Sequence, residues 1–458
     1  MRLRVVGLGR VVKRDLSIEF GREQLTSYGG LELVRRYFQL INLNHRIRQG
    51  FREHDLGGDY GCIHLVLLVI GLLMVGARRL KQLRYVAHDP LFARLCGLAR
   101  IPADRTVVNW LKQFTQASLG ALVRINSELL YDQIRKQDRR RLTIDIDGTV
   151  IRTGEKVAWA MRGFNPHHPK DRSYYPLLAH LAQTGQILRL KNRPGNVHDS
   201  KGAEAFIREL IDEVRARLGR SLLLEFRMDA AFFQENLLKL LARRRCFYAI
   251  KVPFCQWTGV RAVVAAQKRW TPVQREITCC ETRLQLKVWE LDLRVVVFRK
   301  RVHHDSRRNY QLDLFSPDDG HFEYSAVATN LALSPRALWD FMAGRGAQEK
   351  TFAELKGEFA LAAVPTNHYA ANSAWQQLSI LAHNLTIGFQ LHSNLATQKP
   401  PTAKRTYAYW LSSVKTLRFT IINRAARVAR IHGRRVLRFS HNSATQVLYD
   451  QVLDRFAA

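Results

Sequence analysis

Acidic residues are scarce in this sequence of 458 residues. It contains 39 aspartates and glutamates against 72 lysines and arginines, which gives a formal net charge of +33. So much charge of one sign disfavours a compact chain unless a polyanion compensates it, and this argues against an enzyme that acts only on small molecules. Nucleic acid is the first partner to expect, and an anionic membrane surface is the alternative.

Long apolar runs and paired cysteines are also missing. The most apolar run, residues 65–77, has thirteen residues, whereas a membrane-spanning helix needs about 20; a buried core helix is expected instead. The basic N-terminus lacks the apolar stretch of a signal peptide. The six cysteines form no C-x-x-C pair, which disfavours both a zinc site and a disulfide framework. The sequence therefore predicts a folded cytoplasmic protein with no membrane segment.

The pattern of apolar residues divides the chain into helical and β-rich parts. At about 150 residues per domain, the length suggests roughly three domains. Strands and helices alternate in the middle of the chain, which indicates a mixed α/β sheet. The predicted segments are a helical N-terminal DNA-binding domain (1–140), the first part of an α/β core (141–245), a β-rich insertion (246–330), the helical completion of the core (331–398) and a basic helical C-terminal region (399–458).

A short helix is expected near the end of the N-terminal segment. Asp104 is placed to cap this helix, and Val107, Val108 and Leu111 would form its apolar face. The recognition helix of a helix-turn-helix and an ordinary bundle helix fit this pattern equally well.

The C-terminal part of the chain is basic and free of acids between Glu358 and Asp450. Its charge includes five closely spaced arginines, Arg424, Arg427, Arg430, Arg434 and Arg435. The first three recur at every third position, which predicts a stripe on one side of a helix. Aromatic residues are interleaved with the charge at Tyr407, Tyr409 and Trp410. This combination suits a phosphate backbone; a solvated helix face is the alternative, although such a face normally includes acids.

Two acidic motifs fall on predicted strands. In the first, Leu142, Ile144 and Ile146 alternate onto one face, which places Asp145 and Asp147 together on the other. Buried acids are costly unless they bind a cation or a partner. In the second motif, R-M-D-A-A-F, Asp229 falls where a strand ends and a helix begins. Taken alone, this aspartate is most simply a helix N-cap.

A third motif combines one acid with two bases on a predicted helix. Arg345, Glu349 and Lys356 are separated by four and seven residues, and at about 100° per residue these steps return to nearly the same azimuth. The three side chains should therefore share one helix face. A surface salt-bridge stripe is the simple alternative.

Taken together, the three motifs resemble the DDE transposases of bacterial insertion sequences, in particular the hairpin-forming clan with the signature Tyr-x2-Arg-x3-Glu-x6-Lys. The first aspartate, Asp147, stands in D-G-T, and the second, Asp229, in R-M-D-A-A-F. The third motif has the full spacing Arg345-x3-Glu349-x6-Lys356. Met342 stands where the signature has tyrosine, which is a departure. The resemblance extends over roughly residues 30–440.

This resemblance implies a ribonuclease-H-like catalytic core with a β-rich insertion. Asp147, Asp229 and Glu349 would be the catalytic residues and would hold two Mg²⁺ ions, for which Mn²⁺ could substitute. Asp147 is preferred over Asp145 because of the D-G-T context, and Glu349 over Glu354 because of its spacing. Carboxylate oxygens are the ligands that such hard cations prefer, and a metal pair suits an in-line displacement at phosphorus.

The resemblance also implies partners and DNA-binding residues. Arg345 and Lys356 would contact phosphates near the cut strand. Trp289 is the first candidate to hold a base moved out of the stack at a hairpin, ahead of Trp257 and Trp270, although a core tryptophan is the simpler interpretation. The double-stranded partners would be the transposon ends and the target. A homodimer in the synaptic complex and a bacterial, nucleoid-associated location are expected by analogy.

Other motifs have weaker implications. His198 and Asp199 lie either near the active site, by family analogy, or in a simple turn. The histidine pairs at 167–168 and 303–304 are more typical of polar loops than of metal sites. Two other functions remain open: a catalytically silent DNA-binding protein derived from the same fold, and a binder of membrane surfaces or acidic polymers. The latter explains the charge but not the acids.

Overall fold

The computed structural model describes residues 15–21, 23–137, 139–163, 165, 168–301 and 322–457. The sequence YQLDLF at 310–315 predicts a strand, but these residues lie outside the described ones, as do the histidine pair at 303–304 and His167.

The N-terminal region is mainly helical, as predicted. After a short strand β1 (Leu25–Thr26), its helices are α1 (Leu31–Leu40), α2 (Leu43–Phe51), α3 (Cys62–Met74), α4 (Pro90–Cys96), α5 (Asp104–Lys112) and α6 (Gln116–Arg135). In α3, every residue from Leu65 to Met74 is buried, which confirms the expected core helix and follows from its uniformly apolar sequence. Asp104 begins α5 but does not cap it, because Ala103 occupies the cap position.

The middle of the chain forms one large mixed sheet and a small one. The strands are β2 (Arg141–Gly148), β3 (Ile151–Arg152), β4 (Met161–Arg162), β5 (Arg172–Tyr174), β6 (Leu177–Leu181), β7 (Ile187–Lys191), β8 (Leu223–Met228), β9 (Phe247–Val252), β10 (Thr271–Gln274), β11 (Ile277–Leu286), β12 (Leu291–Arg301) and β13 (Phe322–Thr329). The large sheet has the order β10-β11-β12-β13-β9-β8-β2-β6-β7. Strand β2 pairs antiparallel with β6 and parallel with β8, and β8 pairs parallel with β9.

The alternation predicted for β2 is confirmed. Leu142, Ile144 and Ile146 are buried in an apolar cluster with residues of helices α7 (Ala203–Leu218) and α8 (Glu235–Arg243), which cover this face of the sheet. The expected β-rich block is present, and its strands β10–β13 continue the same sheet because β13 pairs with β9. A short helix α9 (Val260–Ala266) precedes β10.

The C-terminal part mixes helices with short strands. Its elements are α10 (Pro335–Ala343), α11 (Gly346–Glu358), α12 (Tyr369–His392), β14 (Thr397–Gln398), β15 (Tyr409–Trp410), α13 (Val414–Leu417), a π-helical turn (Arg418–Ile422), β16 (Ala426–Ile431), β17 (Arg434–Phe439) and α14 (Ser443–Ala457). Helix α12 and the π-helical turn share one apolar core with the N-terminal helices. Arg418 joins the two regions, since it donates to the Met74 carbonyl at 2.9 Å and pairs with Glu358 at 2.6 Å.

The prediction that the closely spaced arginines form a stripe on a helix is wrong. Arg427 and Arg430 lie on β16 and Arg434 and Arg435 on β17, so these four form part of an antiparallel hairpin. The two residues between the strands, His432 and Gly433, both have positive φ, 46° and 77°, as a tight hairpin turn requires. Arg424 precedes this hairpin. Within the described part of the chain, no helix combines the length and apolarity needed to cross a membrane.

Candidate active site

Asp147 and Asp229 lie at the same edge of the large sheet. Asp147 is near the end of β2, and Asp229 directly follows β8. These strands are parallel neighbours, so both aspartates stand at the carboxyl ends of their strands. Asp229 also caps the short turn that follows, accepting the N–H of Ala231 at 3.1 Å, so the simple N-cap interpretation describes its local role.

The Arg345 guanidinium lies between the two aspartates. Its Nη2 is 2.9 Å from Oδ2 of Asp147 and 3.6 Å from Oδ2 of Asp229. Arg345 is the N-cap residue of α11, so the helix of the third motif starts at the two strand ends. The structure thus brings together three of the residues that the sequence singled out.

The electrostatics of this site favour an additional cation. Burial, and repulsion from Asp229 and Asp199, raise the pKa of Asp147 to about 7 against the attraction of Arg345. Burial opposes the charge of Arg345, yet the surrounding acids, Asp147 and Asp229 foremost, raise the pKa of its guanidinium. One guanidinium therefore does not neutralise the carboxylates that surround it.

Glu349 and Lys356 belong to the same electrostatic environment. Glu349 is exposed in the first turn of α11 and contributes to the raised pKa of Arg345. Desolvation lowers the pKa of Lys356, while the charge of Asp147 opposes this. On β9, the pKa of Lys251 is lowered by desolvation in the cleft and by Arg345, against the charges of Asp229 and Glu349.

Asp199 is a further acid at this site, and the sequence left its place open. It accepts a hydrogen bond from the Tyr175 hydroxyl at 2.8 Å. Its other oxygen, Oδ1, is buried without a hydrogen-bond partner among the described residues and lies 3.8 Å from Nη2 of Arg193. A Cβ on Gly148 would lie 2.3 Å from that oxygen, so glycine beside Asp147 lets Asp199 approach. The glycine of the D-G-T motif indicated that another group approaches the backbone closely beside Asp147. Only the fold shows that this group is the Asp199 carboxylate.

These residues fit a divalent metal in part. Among the described residues, no three His, Cys, Asp or Glu side chains are close enough together to hold a metal ion. Asp147 and Asp229 nevertheless offer hard oxygen donors on both sides of a guanidinium that occupies the place of a cation. Asp199 adds a further carboxylate to this part of the cleft, and its charge helps to raise the pKa of Asp147. The chemistry of these side chains therefore suits a hard divalent cation, although no three of them are within reach of one ion in this structure.

The two alternative acids have other partners. Asp145 is fully buried against Arg227 and His180, so it does not face the cleft with Asp147 as the alternation of β2 suggested. Glu354 accepts the backbone N–H of Val414 at 3.4 Å. Among the described residues, neither acid lies within ion-pair distance of Arg345, whereas Asp147 does.

A cleft of about 990 Å³ opens beside Asp229 and Asp199, and Phe233 and Lys251 also line it. Phe233 packs against Trp289, with ring centroids 5.4 Å apart, and Trp257 packs on Trp289 at 4.9 Å. Trp289 is thus a partly buried member of an aromatic cluster next to the cleft. Trp257 is 54% exposed. Trp270 lies elsewhere, under the Arg299 guanidinium.

Met342, at the position of the signature tyrosine, packs with an apolar cluster that includes Phe341 and Trp339. Its carbonyl accepts the N–H of Arg345 at 3.0 Å. The backbone of residue 342 therefore helps to place Arg345, independently of which side chain residue 342 carries.

The basic C-terminal residues form a second candidate surface. In the hairpin, Arg427 stands opposite Arg438 and Arg430 opposite Arg435. These four and Arg434 are exposed. Near the predicted aromatic residues, the Lys399 ammonium lies 3.9 Å from the centre of the Trp410 ring.

Fold and site together define a mixed α/β protein with an acidic centre at the ends of two parallel strands and an exposed basic hairpin in its C-terminal part. The chain belongs to the transposase DDE domain family, group 1, whose model matches residues 8–458. This membership supports a DNA transposase, and proteins of this class generally use divalent metal ions. No curated protein matches the chain. A cryo-EM structure of the piggyBac transposase synaptic complex with hairpin DNA is similar over 93% of this chain and 85% of that chain, with 14% identity and a TM-score of 0.44.

Proposed function

We propose that this protein is a cut-and-paste transposase of a bacterial insertion sequence. It binds the terminal inverted repeats of its element, cleaves there by metal-dependent phosphoryl transfer through a hairpin intermediate, and joins the ends to target DNA. The observation that carries this proposal is the convergence of Asp147 and Asp229 on Arg345, at the start of the helix that bears Glu349.

The strand order supports a ribonuclease-H-like core. Three antiparallel strands, β7, β6 and β2, are followed across the sheet by β8 and β9, which run parallel to β2. In chain order, the first of these strands has Asp147 next to its last residue, and the fourth is directly followed by Asp229. Glu349 lies on a helix that follows the β-rich block along the chain, as expected for the third acid of such a core.

Asp147, Asp229 and Glu349 would hold two Mg²⁺ ions, with Mn²⁺ as a possible replacement. When bound, the metal pair supplies charge stabilisation at the attacking and leaving oxygens of an in-line displacement. Arg345 would move from the two carboxylates to a phosphate, for which its planar fork is suited. Lys356 would add a point charge to the same strand. Trp289, with the more exposed Trp257 beside it, would stack on the displaced base.

The hairpin and the preceding Arg424 form the proposed DNA-binding surface. Like charges placed directly opposite each other in a sheet destabilise it, and this hairpin holds two such pairs, Arg427 with Arg438 and Arg430 with Arg435. The hairpin sequence contains no acid that could neutralise them. A phosphate backbone would compensate this repulsion. Homodimerisation is proposed because two transposon ends must be held together.

The test is DNA cleavage with separate measurement of end binding. Asp147→Ala, Asp229→Ala and Glu349→Ala should each abolish Mg²⁺-dependent cleavage of terminal-repeat DNA while binding of that DNA in a gel shift persists. Glu354→Gln is the matched control on the same helix, because it keeps an acceptor for the Val414 N–H, and it should cleave like the wild type. Substantial cleavage by all three alanine variants would refute the proposal.

A wild-type protein that binds terminal repeats but never cleaves them would instead indicate a catalytically silent descendant. Binding that is equal for terminal-repeat and random DNA and that disappears at raised salt would indicate a general binder of polyanions, since non-specific binding weakens steeply with salt.

A further inference from the structure

A buried ion pair joins the two strands that carry the aspartates. Asp145 lies two residues before Asp147 on β2, and Arg227 lies two residues before Asp229, so each shares a sheet face with its neighbour at the site. Arg227 donates from Nε and Nη2 to the two oxygens of Asp145, at 2.5 and 2.9 Å. Both side chains are fully buried. The pair therefore fixes the two strands relative to each other directly beneath the acids.

The same arginine also holds the start of the helix that bears Glu349. Its Nη1 donates to the carbonyl of Phe341 at 2.7 Å and to that of Lys404 at 2.9 Å. Phe341 lies in α10, four residues before Arg345. Between them, a Cβ on Gly344 would lie 2.4 Å from Nη1 of Arg227, so the turn between α10 and α11 closes against this guanidinium.

His180 continues the network into α11 itself. It stands opposite Asp145 on β6, and its Nδ1 lies 3.1 Å from Oδ2 of Asp145. Because a carboxylate only accepts, Nδ1 carries the hydrogen. The other ring nitrogen is 3.1 Å from the Thr351 hydroxyl, two residues after Glu349. Thr351 is in turn 3.0 Å from the Tyr407 hydroxyl, which donates to the Ala347 carbonyl of the same helix.

Stability alone is a weak reason for such a network. A buried ion pair is often no more stabilising than apolar residues of the same volume, because desolvation offsets its attraction. The network can instead fix the relative positions of the three acids, since it contacts each of the three elements that carry one. Metal ligands must be held within about 0.5 Å of the productive arrangement by such supporting contacts.

We infer that Asp145, Arg227, His180 and Thr351 are positioning residues that set the spacing of the three acids for metal binding. This inference rests on the proposed function, because it assigns to these residues the preorganisation of that site. None of the four would touch the DNA or the metal. They act through Asp147, Asp229 and Glu349.

Thr351 offers the sharpest test, because valine has nearly its shape and lacks its hydroxyl. The readout is Mn²⁺ binding without DNA, measured from the electron paramagnetic resonance signal of the free ion, well below the melting temperature. Thr351→Val should weaken Mn²⁺ binding about tenfold, the lower end for supporting contacts at metal sites. Thr351→Ser keeps the hydroxyl and should bind within about twofold of the wild type.

Thr386→Val is the matched control. Thr386 is also buried, on α12, and among the described residues its hydroxyl donates only to the Ala382 carbonyl of its own helix. This variant should bind Mn²⁺ like the wild type. The concentration of Mg²⁺ that gives half-maximal cleavage should shift for Thr351→Val alone. Should that variant fail to fold, Thr351→Ala replaces it.

The outcomes separate the two ideas. If the wild type binds Mn²⁺ and cleaves DNA while Thr351→Val matches Thr386→Val in both measurements, the positioning inference is overturned and the proposed function stands. Loss of binding in Thr351→Ser as large as in Thr351→Val would also overturn it, because the hydroxyl would not be the cause. A wild type that neither binds the metal nor cleaves DNA refutes the proposed function itself.

Discussion

Replacing Asp147 with asparagine should stabilise the metal-free protein at alkaline pH while abolishing cleavage. Burial and the neighbouring acids raise the pKa of Asp147 to about 7, a value that already includes the attraction of Arg345. Moving the pKa of a carboxyl from about 4 to about 7 disfavours its ionised form by roughly 4 kcal/mol. Asparagine has the same shape and cannot ionise, so it removes this penalty.

The sign of the pH dependence follows from the direction of this shift. An acid whose pKa is higher in the folded protein binds more protons there than in the unfolded chain, so stability falls as the pH rises. The loss begins above about pH 4 and is complete above about pH 7. The free energy of unfolding of Asp147→Asn should therefore exceed that of the wild type by roughly 1–2 kcal/mol at pH 5 and by roughly 4 kcal/mol at pH 8.

Urea unfolding in a chelator, followed by tryptophan fluorescence at both pH values, measures this difference. Mg²⁺ should then stabilise the wild type at pH 8, because a ligand that binds only the folded state does so by mass action. It should stabilise Asp147→Asn much less, because one of the proposed ligands has lost its charge.

Asp145→Asn is the control on the same strand, and its effect should have the opposite sign. Burial alone would raise the pKa of Asp145, but Arg227 and His180 hold it below its ordinary value. Removing one partner of a buried ion pair costs about 3–5 kcal/mol. If Asp147→Asn destabilises the protein at pH 8 as Asp145→Asn does, the two aspartates have the same structural role and the electrostatic account of the site is refuted.

Two further outcomes can be measured independently. Gly344→Ala should lower the free energy of unfolding by about 1–3 kcal/mol, because its Cβ would meet the Lys404 carbonyl at 2.3 Å. The control Gly346→Ala should be neutral or slightly stabilising in urea unfolding, because among the described residues no atom outside its own helix and chain neighbours lies within 4 Å of its Cβ. Neutralising Arg434 and Arg435 together should reduce the slope of DNA affinity against salt by about 2 with little change in melting temperature; a large fall in melting temperature would make them structural.

The sequence was most informative where its signal was local. The alternation of Leu142, Ile144 and Ile146 predicted β2 and put its acids on one face, and the uniformly apolar run predicted the buried helix α3. Spacing on a helix placed Arg345 and Lys356 on a common face, and the charge of Asp147 acts on both in the structure. Each of these features depends on residues only a few positions apart.

The predictions that failed concerned features that depend on turn geometry or on residues far apart in the chain. Arginine at every third position, from Arg424 to Arg430, matched a helix. His432 and Gly433, which follow, allow a tight turn between two short strands. This hairpin signal was present in the sequence, and it outweighs the recurrence of arginine at every third position. The partner of Asp145 was beyond reach, because Arg227 is 82 positions away and only strand register brings the two together.

The excess of basic over acidic residues makes the raised pKa of Asp147 informative. In a chain with a net charge of +33, the general field favours ionised carboxylates and should lower their pKa values. Two buried acids that hold arginines, Asp145 and Glu358, follow this expectation, because their pKa values are lowered. Asp147 departs from it even with Arg345 2.9 Å away. Its raised pKa must therefore have a local cause, the desolvated convergence of acids, and such a cluster is relieved by a bound cation.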